Sequence, residues 1–261
     1  MSGSPERCWL LLGASGGIGK EVLRGLLDRG DRVLVASRRG VSPIQHERAV
    51  PVRLDLSAPD LGARVVDLIA EQGLPDGLIH CAGINHFVAA EGNDDAGLAE
   101  TLDVNLRSAL VLTRELLPGL RRRDRGTLLF VGSTFGSIGY PGYTAYCASK
   151  FGLRGFTEAL RRELADTPIR VRYVAPRATR TAMNGHRVEA MNRTLGNRMD
   201  APEAVARRLL RALDGRPANT FLGWPEKLFV RLNALLPRLV DKALRKQLPV
   251  IQRFLKQGAS S

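Results

Sequence analysis

Tyr146 and Lys150 stand four residues apart in the stretch Tyr143-Thr-Ala-Tyr146-Cys-Ala-Ser149-Lys150-Phe151-Gly152. On a helix that spacing sets both side chains on one face, one above the other. A phenol beside an ammonium forms a pair whose ionisations are linked. The cation favours phenolate and is expected to draw the tyrosine down from its usual pKa of about 10, toward a usable acid. Ser133 lies thirteen residues upstream, at the end of Thr127-Leu-Leu-Phe-Val-Gly132, an apolar run that reads as a buried strand. A strand end followed by a helix start can bring a hydroxyl and a phenol together. Taken alone, Tyr-x-x-x-Lys more often marks a surface pair on an amphipathic helix, so the surrounding elements have to decide.

Those elements alternate. Cys8-Trp-Leu-Leu-Leu-Gly13 reads as a central parallel strand, and a helix follows with Val22, Leu23, Leu26 and Leu27 at helical spacing, ended by Gly30. Further strands are expected at Arg32–Ala36, Ala49–Leu54, Gly77–His80, before Ser133, at Ile169–Val174 and at Asn219–Leu222. Helices are expected near Asp60–Gln72, through Asn105 to about Arg122, and through Tyr146. Strand–helix alternation implies right-handed crossovers and one parallel sheet covered on both faces. The expected fold is therefore α/β, a doubly wound Rossmann-type sheet of about seven strands. It would fill residues 1–222, with a basic amphipathic helical extension over 223–261.

Gly13-Ala-Ser-Gly-Gly-Ile-Gly19 sits between the first strand and the first helix, the context a dinucleotide loop requires. Glycines there permit a tight turn and let backbone N–H groups approach a pyrophosphate at the helix N-terminus. The spacing is Gly-x-x-x-Gly-x-Gly, so the G-x-G-x-x-G fingerprint is not met as written. After the second strand come Ser37, Arg38 and Arg39, with no acidic residue to hold a ribose 2′-hydroxyl. Arginine there favours a 2′-phosphate, so NADP(H) is expected over NAD(H), with Arg38 and Ser37 as leading contacts.

Together these residues resemble the short-chain dehydrogenase/reductase family, over about residues 7–222. The Gly13–Gly19 turn matches its glycine motif, Asp55 its adenine-contacting aspartate, and Cys81-Ala82-Gly83 the end of its Asn-Asn-Ala-Gly motif. Asn105, Ser133, Tyr146 and Lys150 match its four catalytic positions in order. The resemblance implies that Tyr146 is the general acid or base, while Ser133 hydrogen-bonds the substrate oxygen. Lys150 would tune the phenol and hold the nicotinamide ribose. The backbone of Asn105, in a locally opened helix, would anchor a proton-relay water. It further implies a cofactor set of Gly13, Ser15, Gly16, Gly17, Ile18, Gly19, Ser37, Arg38, Arg39, Asp55, Leu56, Cys81, Ala82, Gly83, Asn105, Tyr146, Lys150, Pro176, Thr179 and Thr181. Two departures stand out. His80-Cys81 replaces the usual Asn-Asn, with His80 read as structural, and Arg177 follows Pro176 where the family has glycine. Arg177 either turns outward or meets an anionic group of substrate or cofactor. Cys147 is read as packing, and the loop Arg177–Asp200, with Met183, Met191 and Met199, as shaping the pocket.

Composition narrows the remainder. The three cysteines, Cys8, Cys81 and Cys147, form neither a disulfide framework nor a zinc spacing, so no metal site is expected and a reducing cytoplasm is the simplest setting. The opening residues lack a secretory layout, and no apolar run approaches the ~20 residues of a spanning helix. A net charge of +13 suggests an anionic partner, yet aromatics are only 5%, which argues against nucleic acid. From Glu226 to Lys256 there are eight basic and two acidic residues, which is +6 of that total. Leu228, Leu232, Leu235, Leu236, Leu239 and Ala243 fall on one helical arc beside Lys227, Arg231, Arg238, Lys242 and Arg245. Pro237 and Pro249 are expected to divide this stretch. Such a segment suits an anionic membrane surface, an acidic acyl-carrier protein, packing on its own domain, a cap over the pocket, or a subunit contact.

The expected activity is interconversion of a ketone and a secondary alcohol on an apolar, acyl-like or sterol-like small molecule. A 3-oxoacyl-carrier or 3-oxoacyl-CoA reductase is the neighbouring reading. A dinucleotide-binding sensor without turnover is the rival from another class, and it would have no need of the Asn105/Ser133/Tyr146/Lys150 set. A homo-oligomer, dimer or tetramer, is implied by the resemblance, through the long helices of Asn105 and Tyr146.

Overall fold

The computed structural model describes residues 6–215, 219–224 and 226–257. The first five residues and the last four of the expected extension lie outside them. Seven parallel strands form one sheet: β1 (Cys8–Leu12), β2 (Arg32–Ser37), β3 (Ala49–Arg53), β4 (Gly77–His80), β5 (Thr127–Val131), β6 (Arg170–Ala175) and β7 (Asn219–Phe221), in the order β3-β2-β1-β4-β5-β6-β7. The strand order reverses between β1 and β4, so a crevice opens beyond their carboxyl ends, where ligands of such sheets bind.

Successive side chains on a strand face opposite ways, and here both faces are covered. Leu10, Leu12, Leu78, Leu128 and Phe130 pack against α2 (Leu61–Gln72), α4 (Ser108–Arg123) and α5 (Thr144–Glu163). Trp9, Leu11, Val33, Val35 and Leu129 pack against α1 (Gly17–Leu27) and α7 (Pro202–Asp214). Pro51 is tolerated because β3 is an edge strand, where a missing N–H interrupts no second ladder.

The stretch through Asn105 is not one helix. It divides into α3 (Asp95–Leu102), a π-helical turn over Asp103–Arg107, and α4. The Ser108 N–H reaches back five residues to the Asp103 carbonyl, which widens the helix where Asn105 sits.

After α6 (His186–Thr194) and β7, the tail forms α8 (Glu226–Leu235) and α9 (Pro237–Lys256). Pro237 opens α9, as expected of a proline in a first turn. Pro249 does not divide the segment: it lies inside α9. A proline in a helix interior costs about 3 kcal/mol. Burying Ile251 and Phe254 against Phe87, Tyr143 and Met191 offsets this at roughly 1.5–3 kcal/mol per side chain. The chain breaks at Leu236–Pro237, as expected, and the leucines placed on one arc do not all share a face. Leu232 turns partly inward beside Val230, Val240 and Ile138, whereas Leu235 and Leu239 face out.

Candidate active site

The glycine turn joins β1 to α1. Gly13 adopts φ +82°, and a Cβ there would lie 2.6 Å from the Ala82 backbone nitrogen. Only glycine permits that conformation together with so close a passage of the β1 end against the β4 end. At Gly19 a Cβ would sit 2.1 Å from the Gly13 carbonyl oxygen, so the turn closes tightly onto the helix. No side chain caps α1, and its first residues open onto a cavity of about 660 Å³. A Cβ at Gly17 would come 2.9 Å from Thr181 Cγ2, so the missing side chain keeps a gap between turn and facing loop. Uncapped N–H groups beside that gap fit the pyrophosphate of a dinucleotide.

Ser133 follows β5 by two residues in extended conformation (φ −158°), and its Oγ accepts the Phe135 N–H at 3.1 Å. Across the cavity floor, α5 presents Tyr146 and Lys150. The Ser133 hydroxyl lies near enough to the Tyr146 phenol to favour its ionised form. Burial acts the other way and is stronger, so the phenol is pushed up to about 12. Burial also drives the Lys150 ammonium down to about 8. The lowering of Tyr146 expected from the Tyr-x-x-x-Lys spacing is therefore not found. Lys150 Nζ donates to the Val131 carbonyl at 3.0 Å and stands 5.7 Å from the centre of the Tyr146 ring. One of its three donors is used on a backbone oxygen, and desolvation governs the phenol.

Asn105 lies one layer behind the cavity, fully buried. Its Oδ1 accepts the Ile84 N–H at 2.8 Å, and its Nδ2 donates to the Ile84 carbonyl at 2.9 Å and to Ser149 Oγ at 3.0 Å. Ser149 in turn donates to the Tyr146 carbonyl at 2.7 Å. This links the π turn, the irregular segment following β4 and the α5 helix. The role of Ser149 went unread in the sequence; a hydroxyl three residues after Tyr146 on a helix was the available signal.

Of the other residues matched to the family, Gly13, Ser15, Gly16, Gly17, Ile18, Gly19, Cys81, Ala82, Gly83, Pro176, Thr179 and Thr181 line the cavity. Ser37, Arg38, Arg39, Asp55 and Leu56 lie outside it, Ser37 at the end of β2 and the others beyond the ends of β2 and β3. The Ser37 hydroxyl is engaged in its own turn, donating to the Val41 carbonyl at 3.1 Å and accepting the Val41 N–H at 3.0 Å. Arg38 is exposed, 3.6 Å from Glu100, and its charge helps hold the Asp55 carboxyl below the usual range, after the larger effect of hydrogen bonds from Ser57.

Arg177 does not turn outward: it lines the cavity with its guanidinium already engaged by two carboxylates. Its guanidinium grips Asp200 through Nε (3.0 Å) and Nη2 (2.7 Å), and Glu226 through Nη1 (3.3 Å). It is a strut between the loop after β6 and the first turn of α8. His80 is structural: its Nε2 lies 2.8 Å from Ser108 Oγ, which itself donates to the Val104 carbonyl. Ser108 must therefore accept from Nε2–H, and burial drives the imidazole down to about 3. Cys147 is buried among Phe87, Tyr143 and Met191, as packing.

The cavity wall is aromatic and aliphatic. Phe135 stacks on Tyr140 with ring centroids 4.7 Å apart, and Phe135, Tyr143 and Tyr146 pack as a cluster with each ring against the other two. The tail helices complete the wall with Phe229, Val240 and Leu244, and Tyr140 donates to Gln247 Oε1 at 3.3 Å.

A family model described as short chain dehydrogenase matches residues 7–192. An uncharacterized oxidoreductase of Myxococcus xanthus is 30% identical over 253 residues, 92% of this chain and 97% of that protein. The 3-oxoacyl-[acyl-carrier-protein] reductase FabG of Vibrio cholerae is 27% identical over 232 residues, 85% of this chain and 91% of that protein. Among solved structures, a short chain dehydrogenase from Burkholderia cenocepacia in complex with NADP superposes with a TM-score of 0.79. It is 24% identical and covers 92% of this chain and 97% of that one.

Proposed function

Because this chain belongs to the short-chain dehydrogenase/reductase family of oxidoreductases, we propose that it interconverts a ketone and a secondary alcohol with Tyr146 as general acid and base. One observation carries the reading. The Tyr146 phenol and the Ser133 hydroxyl meet on the floor of the cavity into which the glycine turn also opens. A nicotinamide dinucleotide held at the Gly13–Gly19 turn would supply the hydride for reduction and accept it in oxidation.

The chain's own residues handle the proton and the charge. In reduction, Tyr146 Oη donates its proton to the substrate oxygen, and a phenol at about 12 is fully protonated at neutral pH. Ser133 Oγ donates a hydrogen bond to the same oxygen as negative charge develops on it. Lys150, cationic below about pH 8, supplies positive charge beneath the site and a donor for the cofactor ribose. Asn105 holds the π turn against Ile84, whose opened backbone is suited to anchor a water that returns the proton. In oxidation the same phenol, once deprotonated, would accept the proton of the alcohol.

Two basic side chains beyond β2, Arg38 and Arg39, support NADP(H) as the preferred form, with no acidic residue in that turn. The apolar wall of Phe135, Tyr143, Val188, Met191 and Phe229 supports an apolar substrate, acyl-like or sterol-like. The resemblance to a 3-oxoacyl-carrier reductase gives the acyl-thioester version a specific footing. Exposed Leu102, Leu110 and Phe151, on α3, α4 and α5, are the apolar faces a homo-oligomer would cover. An anionic partner at the basic tail belongs to the same reading.

The test is a panel of ketones with NADPH, comparing wild type with Tyr146→Phe. The substitution is expected to lower kcat by about 10²–10⁴ with little change in cofactor affinity. Turnover that survives it would remove Tyr146 from the mechanism, and no turnover by wild type on any ketone would favour a cofactor sensor.

A further inference from the structure

The α8–α9 hairpin has two apolar sides. One is used: Val230, Val240, Ile251 and Phe254 are buried on the body of the protein. The other is open. Leu235 is 79% exposed, Leu228 55%, Leu236 53% and Leu239 53%, with Trp224 at 70% just before α8. On α8, Leu228 and Leu235 are seven residues apart and share one face, and Trp224 lies four residues before Leu228. Leu236 and Leu239 continue this surface around the turn into α9. Scattered single leucines on a surface need no explanation, but a tryptophan and four leucines gathered on one hairpin do.

Charge says what covers it. Lys227 and Arg231 flank the leucines on α8, and Arg238, Lys242, Arg245 and Lys246 line the outer side of α9. All six are exposed, and among the described residues none belongs to a salt bridge. Asp241 is the sole exposed acid on the two helices; Glu226 is held by Arg177. A second copy of this chain would bring the same cations to its own patch, with each chain carrying +13. The complementary surface is apolar at its centre and anionic at its edge. A bilayer with acidic headgroups has that make-up, and tryptophan settles at its interface. No helix among the described residues is long and apolar enough to cross a membrane, so the hairpin would lie in the headgroup region.

We propose that the α8–α9 hairpin docks the protein on an anionic lipid surface, with Trp224, Leu228, Leu235, Leu236 and Leu239 entering the interface. Trp224 and Phe229 also line the catalytic cavity, so the docked face is the one at which that cavity is bounded by the tail. This deepens the functional reading and rests on it in one respect: a lipid-soluble ketone or alcohol would pass from the bilayer to Tyr146 without crossing water.

The experiment is co-sedimentation of the full chain with phosphatidylcholine vesicles containing 0–40% phosphatidylglycerol, read together with tryptophan emission. Trp9 is buried, so a blue shift reports Trp224. Wild type is expected to pellet with anionic vesicles, to shift blue, and to be released by high salt. Leu235→Ser/Leu239→Ser should lower the partition coefficient at least tenfold, and Arg238→Glu/Lys242→Glu at least about 25-fold, each charge being worth about fivefold. Neither pair lines the cavity, so turnover of a water-soluble ketone should be unchanged. Tyr146→Phe should bind vesicles like wild type, which separates failure of docking from failure of the chemistry. Absence of vesicle binding overturns the proposal, as does binding indifferent to both double substitutions. Capture by an acidic carrier protein or self-association through these leucines, without vesicle binding, assigns the patch to those partners and overturns it equally.

Discussion

At the scale of single residues, burial outweighs proximity. Tyr146 and Lys150 are correctly spaced to face one another, yet desolvation drives the phenol up to about 12 and the ammonium down to about 8. The sequence makes the pairing visible, but not the depth at which it sits. His80 illustrates the same force with a measurable consequence. Its imidazole is buried and neutral, with a folded pKa of about 3 against the usual 6.5. Unfolded, it takes a proton as the pH falls below 6.5; folded, it does not until near 3. Stability from this residue is thus fully present above pH 6.5 and declines as the pH falls toward 3, by up to about 1.4 kcal/mol per pH unit. Thermal melts of His80→Asn between pH 4 and 7 should show a shallower acid slope than wild type. Parallel slopes would mean that another group sets the acid limit.

At the scale of elements, Arg177 joins three of them. It stands at the end of β6, Asp200 precedes α7, and Glu226 opens α8. An acid in the first turn of α8 also meets the positive end of the helix dipole, so Glu226 is favoured twice. Removing the guanidinium leaves two partly buried carboxylates facing each other across its former place. Arg177→Met should cost about 1–3 kcal/mol in denaturant unfolding and speed hydrogen exchange in the first turns of α8. Unchanged stability and exchange would show that the hairpin is held by the burial of Val230, Val240, Ile251 and Phe254 without the ion pairs. The sequence offered Arg177 as a departure from the family glycine and left its partner open. Asp200 and Glu226 are 23 and 49 residues away, beyond any local pattern.

For the whole molecule, the cofactor reading spans the sheet from the glycine turn to the arginines beyond β2. A ligand that binds only the native state stabilises it by mass action, so affinity can be read from melting without a substrate. NADPH should raise the Tm of wild type by more than NADH at equal concentration. In Arg38→Asp that order should reverse, since an acid there suits a ribose 2′-hydroxyl and repels a 2′-phosphate. An unaltered order would place the 2′-phosphate elsewhere, with Arg39 the next residue to change. The salt bridge from Arg38 to Glu100 is exposed and too weak to hold the guanidinium away from a phosphate.

The fold was legible in the sequence because its determinants are local and periodic. Apolar runs ended by glycine mark the strands, helical spacing marks the layers, and alternation forces one parallel sheet. The glycine turn and the order Asn105, Ser133, Tyr146, Lys150 were legible for the same reason: each is a residue type at a fixed offset. Tertiary structure decided what depends on distance and depth. It set the ionisation of Tyr146 and Lys150, gave Arg177 its two carboxylates, tied His80 through Ser108 to the π turn, and carried α9 through Pro249. It also split the leucines of the tail between a buried side and an open one. None of these follows from spacing, because each is fixed by which atoms of remote segments displace water.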